Sequence, residues 1–259
     1  MKNIHIDTVD HLPSPIIAIG HSYADGQVIA PHQHRRGQLI SCASGVIVVS
    51  TSAGAWVMPP QRGMWIPPAT MHEVRMVGAV SVQSLYLEPD AVAGMPGRCQ
   101  VVGISPFMRA LMTEALDLPA EYGAESRAGA LMALIRHEMR ELPILPLAAP
   151  YPKNEALAAR CRAFVRRPDV HETIDDWSRA LGMSRRAFTR FFRAETGLSF
   201  VAWRQQACLI KALPRLAAGS SVTHVASELG YDNPTAFTAM FKRTFGAPPL
   251  AYLKLRGDS

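Results

Sequence analysis

The apolar positions between residues 174 and 252 follow the same pattern twice. Ile174, Trp177 and Leu181 are three and four residues apart, a spacing that places all three on one face of a helix. The same spacing returns 48 residues later at Val222, Val225 and Leu229. A repeat of this period indicates two copies of one structural unit, each beginning with a short amphipathic helix.

A glycine follows each of these predicted helices, Gly182 in the first copy and Gly230 in the second. Because glycine adopts positive φ without strain, it allows a helix to end within one residue. Ser184, and either Asp232 or Asn233, then stand where a second helix needs its N-cap. The sequence therefore predicts a helix, a tight turn and a second helix in each copy.

Each predicted second helix carries two phenylalanines four residues apart, Phe188 with Phe192 and Phe237 with Phe241. Residues four apart share a helix face, so we expect the rings to point inward and the side chains between them to face solvent. The outward side chains are mostly basic or hydroxylic, and the candidate DNA contacts are Arg185, Arg186, Thr189, Arg190, Arg193, Asn233, Thr235, Thr238, Lys242 and Arg243. One basic helix pair is also typical of an ordinary solvated domain. Two copies in register favour two helix-turn-helix units that enter the major groove.

The C-terminal hundred residues resemble the DNA-binding domain of the AraC/XylS family of bacterial transcription regulators. The strongest match is Val225-Ala226-x2-Leu229-Gly230-Tyr231-x5-Phe237-x3-Phe241-Lys242-x3-Gly246-x2-Pro249-x2-Tyr252. The resemblance implies a cytoplasmic protein that reads promoter DNA. Because Arg can bond guanine, and Asn adenine, at two atoms each, the expected base contacts are Arg186, Arg190, Asn233, Thr235 and Thr238. Pro214 departs from the family pattern and is expected to shorten the connecting helix, predicted over residues 200–213.

Residues 15–87 contain short apolar runs separated by turn residues such as Gly45, Gly78 and two proline pairs. Many short strands at close spacing predict a small barrel or a sandwich. The predicted strands are Pro15–Gly20, Gln38–Ala43, Val46–Ser50, Ala55–Met58, Met64–Ile66, His72–Met76 and Ser81–Leu87.

Histidines in this stretch form the pattern His32-x-His34-x3-Gln38, followed by His72 after a proline turn. Alternate residues of a strand face the same side, so His32 and His34 share a face. The pattern resembles the two motifs of the cupin fold, with Gln38 where that fold has a glutamate. The resemblance implies a divalent transition metal held by His32, His34 and His72, and three imidazoles suffice for zinc, iron or nickel. The alternative is that these histidines line a metal-free pocket or fill the barrel, and the sequence leaves both interpretations open.

A small-molecule effector pocket is accordingly predicted around His32, His34, Gln38, Trp65 and His72. Pro31, Trp56 and Tyr86 are further candidates for its apolar walls. Arg35 and Arg36 follow His34, and we expect them in a solvated turn rather than against an anionic ligand.

The periodicity becomes helical over residues 105–118 and 125–142. The predicted apolar faces consist of Phe107, Leu111 and Leu118, then Leu131, Leu134, Ile135 and Met139. Such faces need a covering surface or a second subunit, and in the resembled family such helices commonly mediate dimerisation, so we expect a homodimer.

Four prolines within residues 142–152 indicate a semi-rigid spacer. The predicted segments are a cupin-like sensor domain (1–95), a helical dimerisation segment (96–142), a Pro-rich linker (143–152) and a double helix-turn-helix DNA-binding domain (153–259).

Charge is divided unequally along the 259 residues, whose formal net charge is +6. Residues 152–259 contain 17 Lys and Arg against 9 Asp and Glu, whereas residues 1–151 contain 10 against 12. A basic half joined to a slightly acidic half indicates that only the C-terminal half meets a polyanion.

The four cysteines form no CxxC pair, and neither a signal segment nor an apolar run of about 18 residues is visible. We therefore expect a cytoplasmic protein that does not enter a membrane.

These patterns predict an α+β chain, with an N-terminal cupin-like β-barrel and two flanking helices followed by an all-α domain with two helix-turn-helix units. The predicted function is sequence-specific DNA-binding transcription regulation, controlled by a small-molecule or metal effector, with RNA polymerase as a further partner and no enzymatic activity. The alternative is a cupin metal-dependent enzyme fused to a DNA-binding module. The histidine motif contains no Asp or Glu, and Glu73 beside His72 points to the opposite strand face. A DNA-repair protein would need a reactive cysteine, and Cys161 is instead expected to pack in a helix.

Overall fold

The computed structural model describes residues 6–254 and divides them into two compact units. The first comprises residues 6–47 and 58–145, and the second comprises residues 48–57 and 146–254. Strands dominate the first unit and helices the second, which confirms the α+β class. The strands are β1 (Ile16–Tyr23), β2 (Val28–His32), β3 (Gly37–Thr51), β4 (Gly54–Met58), β5 (Arg62–Ile66), β6 (His72–Leu87), β7 (Gln100–Gly103) and β8 (Ala148–Pro150). The helices are α1 (Pro106–Leu116), α2 (Arg127–Arg140), α3 (Glu155–Arg166), α4 (Ile174–Ala180), α5 (Arg185–Thr196), α6 (Phe200–Ala217), α7 (Val222–Glu228), α8 (Pro234–Phe245) and α9 (Pro249–Lys254).

The long strand β6 organises the sheet of the first unit. Its second half pairs antiparallel with the whole of β1, and its first residues pair with β2. β3 is also a neighbour of β6, and β3 pairs with β5, which pairs in turn with β7. This arrangement brings the end of β2 to the start of β6, where His32 lies opposite His72.

β3 and β6 each continue through a glycine at which the sequence predicts a break. Gly45 and Gly78 have φ values of 71° and 76°, in the region that favours glycine. A Cβ at Gly45 would lie 2.6 Å from Val80 Cγ2 and 2.9 Å from Ala79 O, so the neighbouring backbone passes too close for a side chain. Gly45 therefore allows close strand contact, Gly78 supplies a positive φ, and each pair of predicted strands is one strand. β2 was not predicted because it contains Pro31 and is mostly exposed, which removes the apolar alternation.

The two predicted helices of the first unit are present as α1 and α2. Leu111, Ile135 and Met139 are buried in a core shared with the sheet, as their spacing predicts. Phe107 and Leu134 remain 52% and 40% exposed. Both helices therefore cover the sheet with one face and keep apolar side chains on the outside.

Arg36 is buried, contrary to the expectation of a solvated turn. Its side chain is 0% exposed and forms ion pairs with Asp10 at 3.0 Å and Glu88 at 2.5 Å. Its guanidinium also donates to the backbone oxygens of Leu12 and Ser14. Arg35 contacts the same two carboxylates from the exposed side. A buried charge is tolerated only when it is paired and hydrogen-bonded, and these partners meet that condition for Arg36. The same contacts link the N-terminal segment to the sheet.

The Pro-rich segment contains a strand that belongs to the second unit. β8 pairs antiparallel with β4, with Ala55 opposite Ala149. The indole N–H of Trp203 donates to the backbone oxygen of Pro150 at 2.8 Å. These residues are thus part of a packed structure, which the proline content alone does not indicate.

The second unit contains one helix pair twice, α4 with α5 and α7 with α8, as the repeat predicts. Gly182 and Gly230 follow the first helix of each pair with φ values of 64° and 81°. Ser184 and Asn233 cap the second helices, each accepting a backbone N–H three residues ahead. The predicted turn chemistry is confirmed, with Asn233 rather than Asp232 as the cap.

α6 joins the two helix pairs and is 18 residues long. It continues through Pro214 to Ala217, so the expected shortening does not occur. Pro214 lies in the last turn, where its missing N–H removes one hydrogen bond close to the helix end rather than in the middle. Along residues 6–254, no helix combines the length and the apolarity needed to cross a membrane.

We expect Arg36→Ala to lower the free energy of unfolding of the first unit by about 3 kcal/mol, because two carboxylates and two carbonyls lose a buried partner. Arg35→Ala is the matched control, since it removes an exposed arginine from the same carboxylates and should cost about 1 kcal/mol or less. Urea denaturation read by hydrogen–deuterium exchange of β3 and β6 peptides measures both losses. Equal losses in the two variants would contradict the role assigned to Arg36.

Candidate functional site

A cavity of about 350 Å³ lies within the first unit. The predicted pocket residues His32, His34, Gln38 and His72 all line it. The remaining lining side chains come from β1, β2, β3, β6 and the segments before β1 and after β2: Ile6, Asp7, Ile19, His21, Tyr23, Ile29, Ala30, Pro31, Gln33, Ile40, Val74, Val82, Ser84 and Tyr86. A concave, mostly apolar space with a few polar groups is the usual form of a small-molecule site.

The three predicted histidines form a cluster at one part of this cavity. The ring centroids of His32 and His72 are 4.3 Å apart, and those of His34 and His72 are 5.3 Å apart. One ring nitrogen from each residue lies within 4.8 Å of the other two. The β2–β6 pairing places His32 opposite His72, and the two-residue spacing adds His34, so strand geometry accounts for the cluster.

Backbone carbonyls set the tautomer of all three rings. The Nδ1 atoms of His32, His34 and His72 lie 2.9, 2.5 and 2.7 Å from the carbonyl oxygens of Ala30, Arg36 and Thr70. A carbonyl only accepts, so each Nδ1 carries the hydrogen and each Nε2 of a neutral ring carries a lone pair. Metal-binding histidines in proteins have this arrangement, with the outer ring nitrogen held by a backbone or carboxylate oxygen.

Burial keeps two of these rings neutral. It lowers the pKa of His72 to about 4, because the charged form loses its hydration, and it lowers the pKa of His34 for the same reason. His72 Nε2 is buried and has no hydrogen-bond partner in the described part of the chain. An unpartnered buried lone pair is costly, which makes this nitrogen a natural position for a cation or a donor.

Gln38 completes the polar side of the cluster. Its amide nitrogen donates to Ser84 Oγ and Tyr86 Oη, both at 3.0 Å, and its oxygen lies 3.2 Å from His34 Nε2. Burial raises the pKa of Tyr86, so this side chain is a neutral phenol. Three imidazole nitrogens and an amide oxygen form an uncharged donor set that fits a divalent transition metal such as zinc.

Trp65 does not line this cavity, although the sequence predicts it as a pocket residue. It is buried in the core of the first unit, and its indole N–H donates to Pro96 O at 2.8 Å. His21 and Tyr23 line the cavity and were missed; their rings stack with centroids 4.9 Å apart. They alternate with Ile19 along β1, so the two-residue strand period could have placed them on the cavity face.

The outer face of α5 is basic. Phe188 and Phe192 are fully buried, while Arg186, Arg190 and Arg193 are exposed along one stripe with spacings of four and three. Within residues 6–254 these three arginines form no ion pair. Of the other predicted contacts on this helix, Arg185 is exposed and pairs with Asp175 at 3.1 Å, and the exposed Thr189 donates its hydroxyl to the backbone oxygen of Arg185. Three arginines of α5 are therefore available to a polyanion.

The outer face of α8 has different chemistry. The residues equivalent to Arg186, Arg190 and Arg193 are Thr235, Ala239 and Lys242. Thr235, Lys242 and Arg243 are exposed, and Thr238 is half-buried. Asn233 Oδ1 accepts the N–H of Ala236 at 2.9 Å as the helix cap, which occupies the oxygen that a two-atom contact to adenine requires. Charge is thus confined to the C-terminal end of α8.

Comparison with known proteins finds two matching family profiles. A family profile described as an AraC-like ligand binding domain matches residues 14–167, and one described as a helix-turn-helix domain matches residues 177–255. The HTH-type transcriptional regulator NimR of Escherichia coli is 34% identical over 233 residues, which cover 90% of this chain and 85% of NimR. The HTH-type transcriptional regulator RipA of Corynebacterium glutamicum is 32% identical over 113 residues, covering 43% of this chain and 32% of RipA.

Among solved structures, ToxT from Vibrio cholerae aligns over 93% of this chain and 99% of its own, with 8% identity and a TM-score of 0.39. The family assignment rests on the profile that covers more than half of the chain and on the near full-length match to NimR. The chain belongs to the AraC family of DNA-binding transcription regulators and has an N-terminal ligand-binding domain.

Proposed function

We propose that the chain binds double-stranded promoter DNA sequence-specifically and that an effector in the cavity of the first unit controls this binding. The observation that carries the DNA part is the exposed, unpaired arginine stripe of α5, whose opposite face is fixed by Phe188 and Phe192. In this proposal Arg186 and Arg190 read base edges, because a guanidinium bonds guanine at two atoms. Arg185, Thr189 and Arg193 contact phosphates and orient the helix.

The second helix-turn-helix unit reads DNA by weaker contacts in this proposal. Thr235 and Thr238 offer hydroxyl and methyl groups to base edges, and Lys242 and Arg243 neutralise phosphates. Asn233 acts mainly as the cap of α8, since its oxygen is engaged by Ala236. We therefore expect stronger base discrimination by α5 than by α8.

We further propose that His32, His34 and His72 hold a divalent transition metal in the ligand-binding domain. The support is the convergence of three Nε2 lone pairs, one of them buried without a partner among the described residues. Bound there, a metal would supply a positive charge and a coordination position for an effector. In the metal-free alternative, a small molecule alone would occupy the cavity and donate to His72 Nε2.

We propose that the cavity binds an effector and does not catalyse a reaction. Asp7 is the carboxylate among its described lining side chains, and Glu73 is outside that lining. The enzyme alternative would therefore depend on Asp7 as its carboxylate acid or base, which makes binding the simpler proposal. A repair function is also disfavoured, because Cys161 is buried and burial raises the pKa of its thiol to about 12.

The protein acts in this proposal as a cytoplasmic homodimer that binds promoters beside RNA polymerase. The exposed apolar side chains of α1 and α2, including Phe107 and Leu134, support a subunit contact there, because exposed apolar groups on adjacent helices favour association.

The proposed functional segments are residues 1–95 (sensor domain), 96–142 (dimerisation), 143–152 (linker) and 153–259 (DNA binding). The strand β8 extends the folded part of the DNA-binding segment to at least Ala148.

A base-reading role for Arg190 predicts a local loss of specificity. Arg190→Ala should cost about 1–3 kcal/mol at one position of the operator and relax the preference there. Lys242→Ala should weaken all sequences alike and lower the slope of log affinity against log salt by about one. The measurement is selection from a randomised DNA library with the full-length wild type and both variants, followed by titrations between roughly 50 and 200 mM salt. A uniform loss in Arg190→Ala would show that Arg190 contacts phosphate instead.

The metal proposal predicts about one equivalent of transition metal per chain in untagged protein equilibrated with zinc and then dialysed. Replacing both His32 and His34 by Ala should abolish this metal without unfolding the second unit. His21→Ala is the control, because His21 lines the same cavity outside the three-histidine cluster. Elemental analysis measures the metal content of each protein. If the wild type contains no metal, or if the double variant contains as much as the wild type, the cavity is a metal-free pocket.

A further inference from the structure

One polar contact in the cavity brings together two groups of the same polarity. His34 Nδ1 donates to the backbone oxygen of Arg36, so Nε2 of the neutral ring has a lone pair and no hydrogen. This nitrogen faces the amide oxygen of Gln38 at 3.2 Å, and the amide oxygen also only accepts. Both side chains are buried, where the repulsion between two lone pairs is screened less than in bulk water.

A cation between the two groups removes this conflict. Both lone pairs then face a positive charge, and the Gln38 nitrogen keeps its hydrogen bonds to Ser84 and Tyr86. Without a cation, a half-turn of the amide also satisfies every group. Its nitrogen then donates to His34 Nε2, and its oxygen accepts from the hydroxyls of Ser84 and Tyr86. The amide therefore has two complete hydrogen-bonding arrangements, and occupancy of the histidine cluster selects between them.

The two arrangements present different groups to the cavity. When the Gln38 nitrogen faces the hydroxyls, Ser84 and Tyr86 accept from it. The two hydroxyls also hydrogen-bond each other, so one O–H is used between them and the other is released for a ligand. When the amide is turned, the hydroxyl hydrogens are used by Gln38 and only lone pairs face the cavity. Ser84 and Tyr86 both line the cavity, and no Lys or Arg is found among its described lining residues. A bound cation would thus be the main positive charge in the cavity, and the released hydroxyl would add to the donors Tyr23 and Gln33 that attract an acceptor.

We propose that Gln38 is an amide switch that couples a divalent cation on His32, His34 and His72 to an effector carrying a carboxylate or a similar acceptor group. This inference rests on the proposed metal site. The cation turns the Gln38 oxygen inward, and the cavity wall changes from hydrogen-bond acceptor to hydrogen-bond donor. Since binding couplings are reciprocal, cation and carboxylate each increase the affinity of the other.

Gln38→Glu removes the switching amide, and nuclear magnetic resonance of the Gln38 amide distinguishes the switch from simple coordination of the carboxylate by the metal. A glutamate keeps an oxygen beside His34 and adds a negative charge, so it should bind the cation more tightly. A carboxylate has no N–H, however, so Ser84 and Tyr86 must donate to it, and their hydrogens are lost to the effector. Gln33→Glu is the matched control, because it adds the same charge at an exposed position of the same cavity and leaves Gln38 intact.

The experiment is a Co²⁺ titration of full-length, untagged protein, followed by visible absorption, with and without saturating acetate. In the wild type and in Gln33→Glu, acetate should tighten Co²⁺ binding by about tenfold, within the usual range of coupling. In Gln38→Glu, Co²⁺ should bind more tightly than in the wild type, and acetate should change its affinity by less than about twofold. Equal acetate effects in the wild type and Gln38→Glu, a loss in Gln33→Glu, or no effect in the wild type would overturn the switch and leave the metal site standing. A wild type that binds no Co²⁺ would refute the metal site itself.

Nuclear magnetic resonance of the side-chain amides gives a second, direct test. The Gln38 amide signals can be assigned by their absence in Gln38→Glu. In metal-free protein they should show a nuclear Overhauser effect to the ring hydrogens of His34, and on addition of Zn²⁺ this effect should be replaced by one to the Tyr86 ring. An amide that keeps the same neighbours with and without Zn²⁺ would overturn the proposal.

Discussion

The aromatic cluster around Trp177 fixes what the DNA-binding unit can present to a partner. Trp177 contacts the rings of Phe164, Phe188, Phe192 and Phe200, with centroid distances from 5.0 to 6.4 Å. Aromatic pairs in such offset and edge-on arrangements contribute beyond their buried area. With two rings of α5 held in this core, the helix has a single rotation, and the arginine stripe must face outward. The basic surface is thus a consequence of core packing.

In the first unit, backbone structure likewise determines which groups face the cavity. Antiparallel pairing of β2 with β6 sets His32 opposite His72, and backbone carbonyls then hold each ring in the tautomer that exposes Nε2. Gln38 contributes an amide in place of a carboxylate, so the donor set has no charge of its own. An uncharged set leaves a bound cation unneutralised, which is why an acceptor-bearing effector would suit this cavity.

The repeat was predictable because its signals are local. Helix periodicity, the positive-φ glycines Gly182 and Gly230, and the caps all lie within a few residues of what they determine. The histidine cluster was predictable from strand alternation and a resemblance in spacing. The strand breaks predicted at Gly45 and Gly78 are wrong, because a glycine that ends a strand and one with positive φ inside a strand look alike in sequence.

Long-range partners account for the other differences. The burial of Arg36 depends on Asp10 and Glu88, which are distant in sequence. The residues next to Arg36 indicate only two arginines in a turn. Trp65 was predicted as a pocket residue, but its strand β5 contributes no residue to the described cavity lining and Trp65 packs in the core. Strand β8 lies in a proline-rich segment whose pairing with β4 leaves no periodic signal.

We propose that one chain reads DNA with two helices of unequal chemistry, α5 and α8. α6, about 27 Å long at ~1.5 Å per residue, joins their helix pairs, and successive major-groove segments on one face of DNA are ~34 Å apart. A hydroxyl-radical footprint of the full-length protein on a selected operator half-site that binds one subunit tests this claim directly. We expect two protected blocks about one helical turn apart, and binding to half-sites with single base-pair substitutions should show strict base preference in only one of them. A single protected block per subunit, or equal base preference in both blocks, would contradict it.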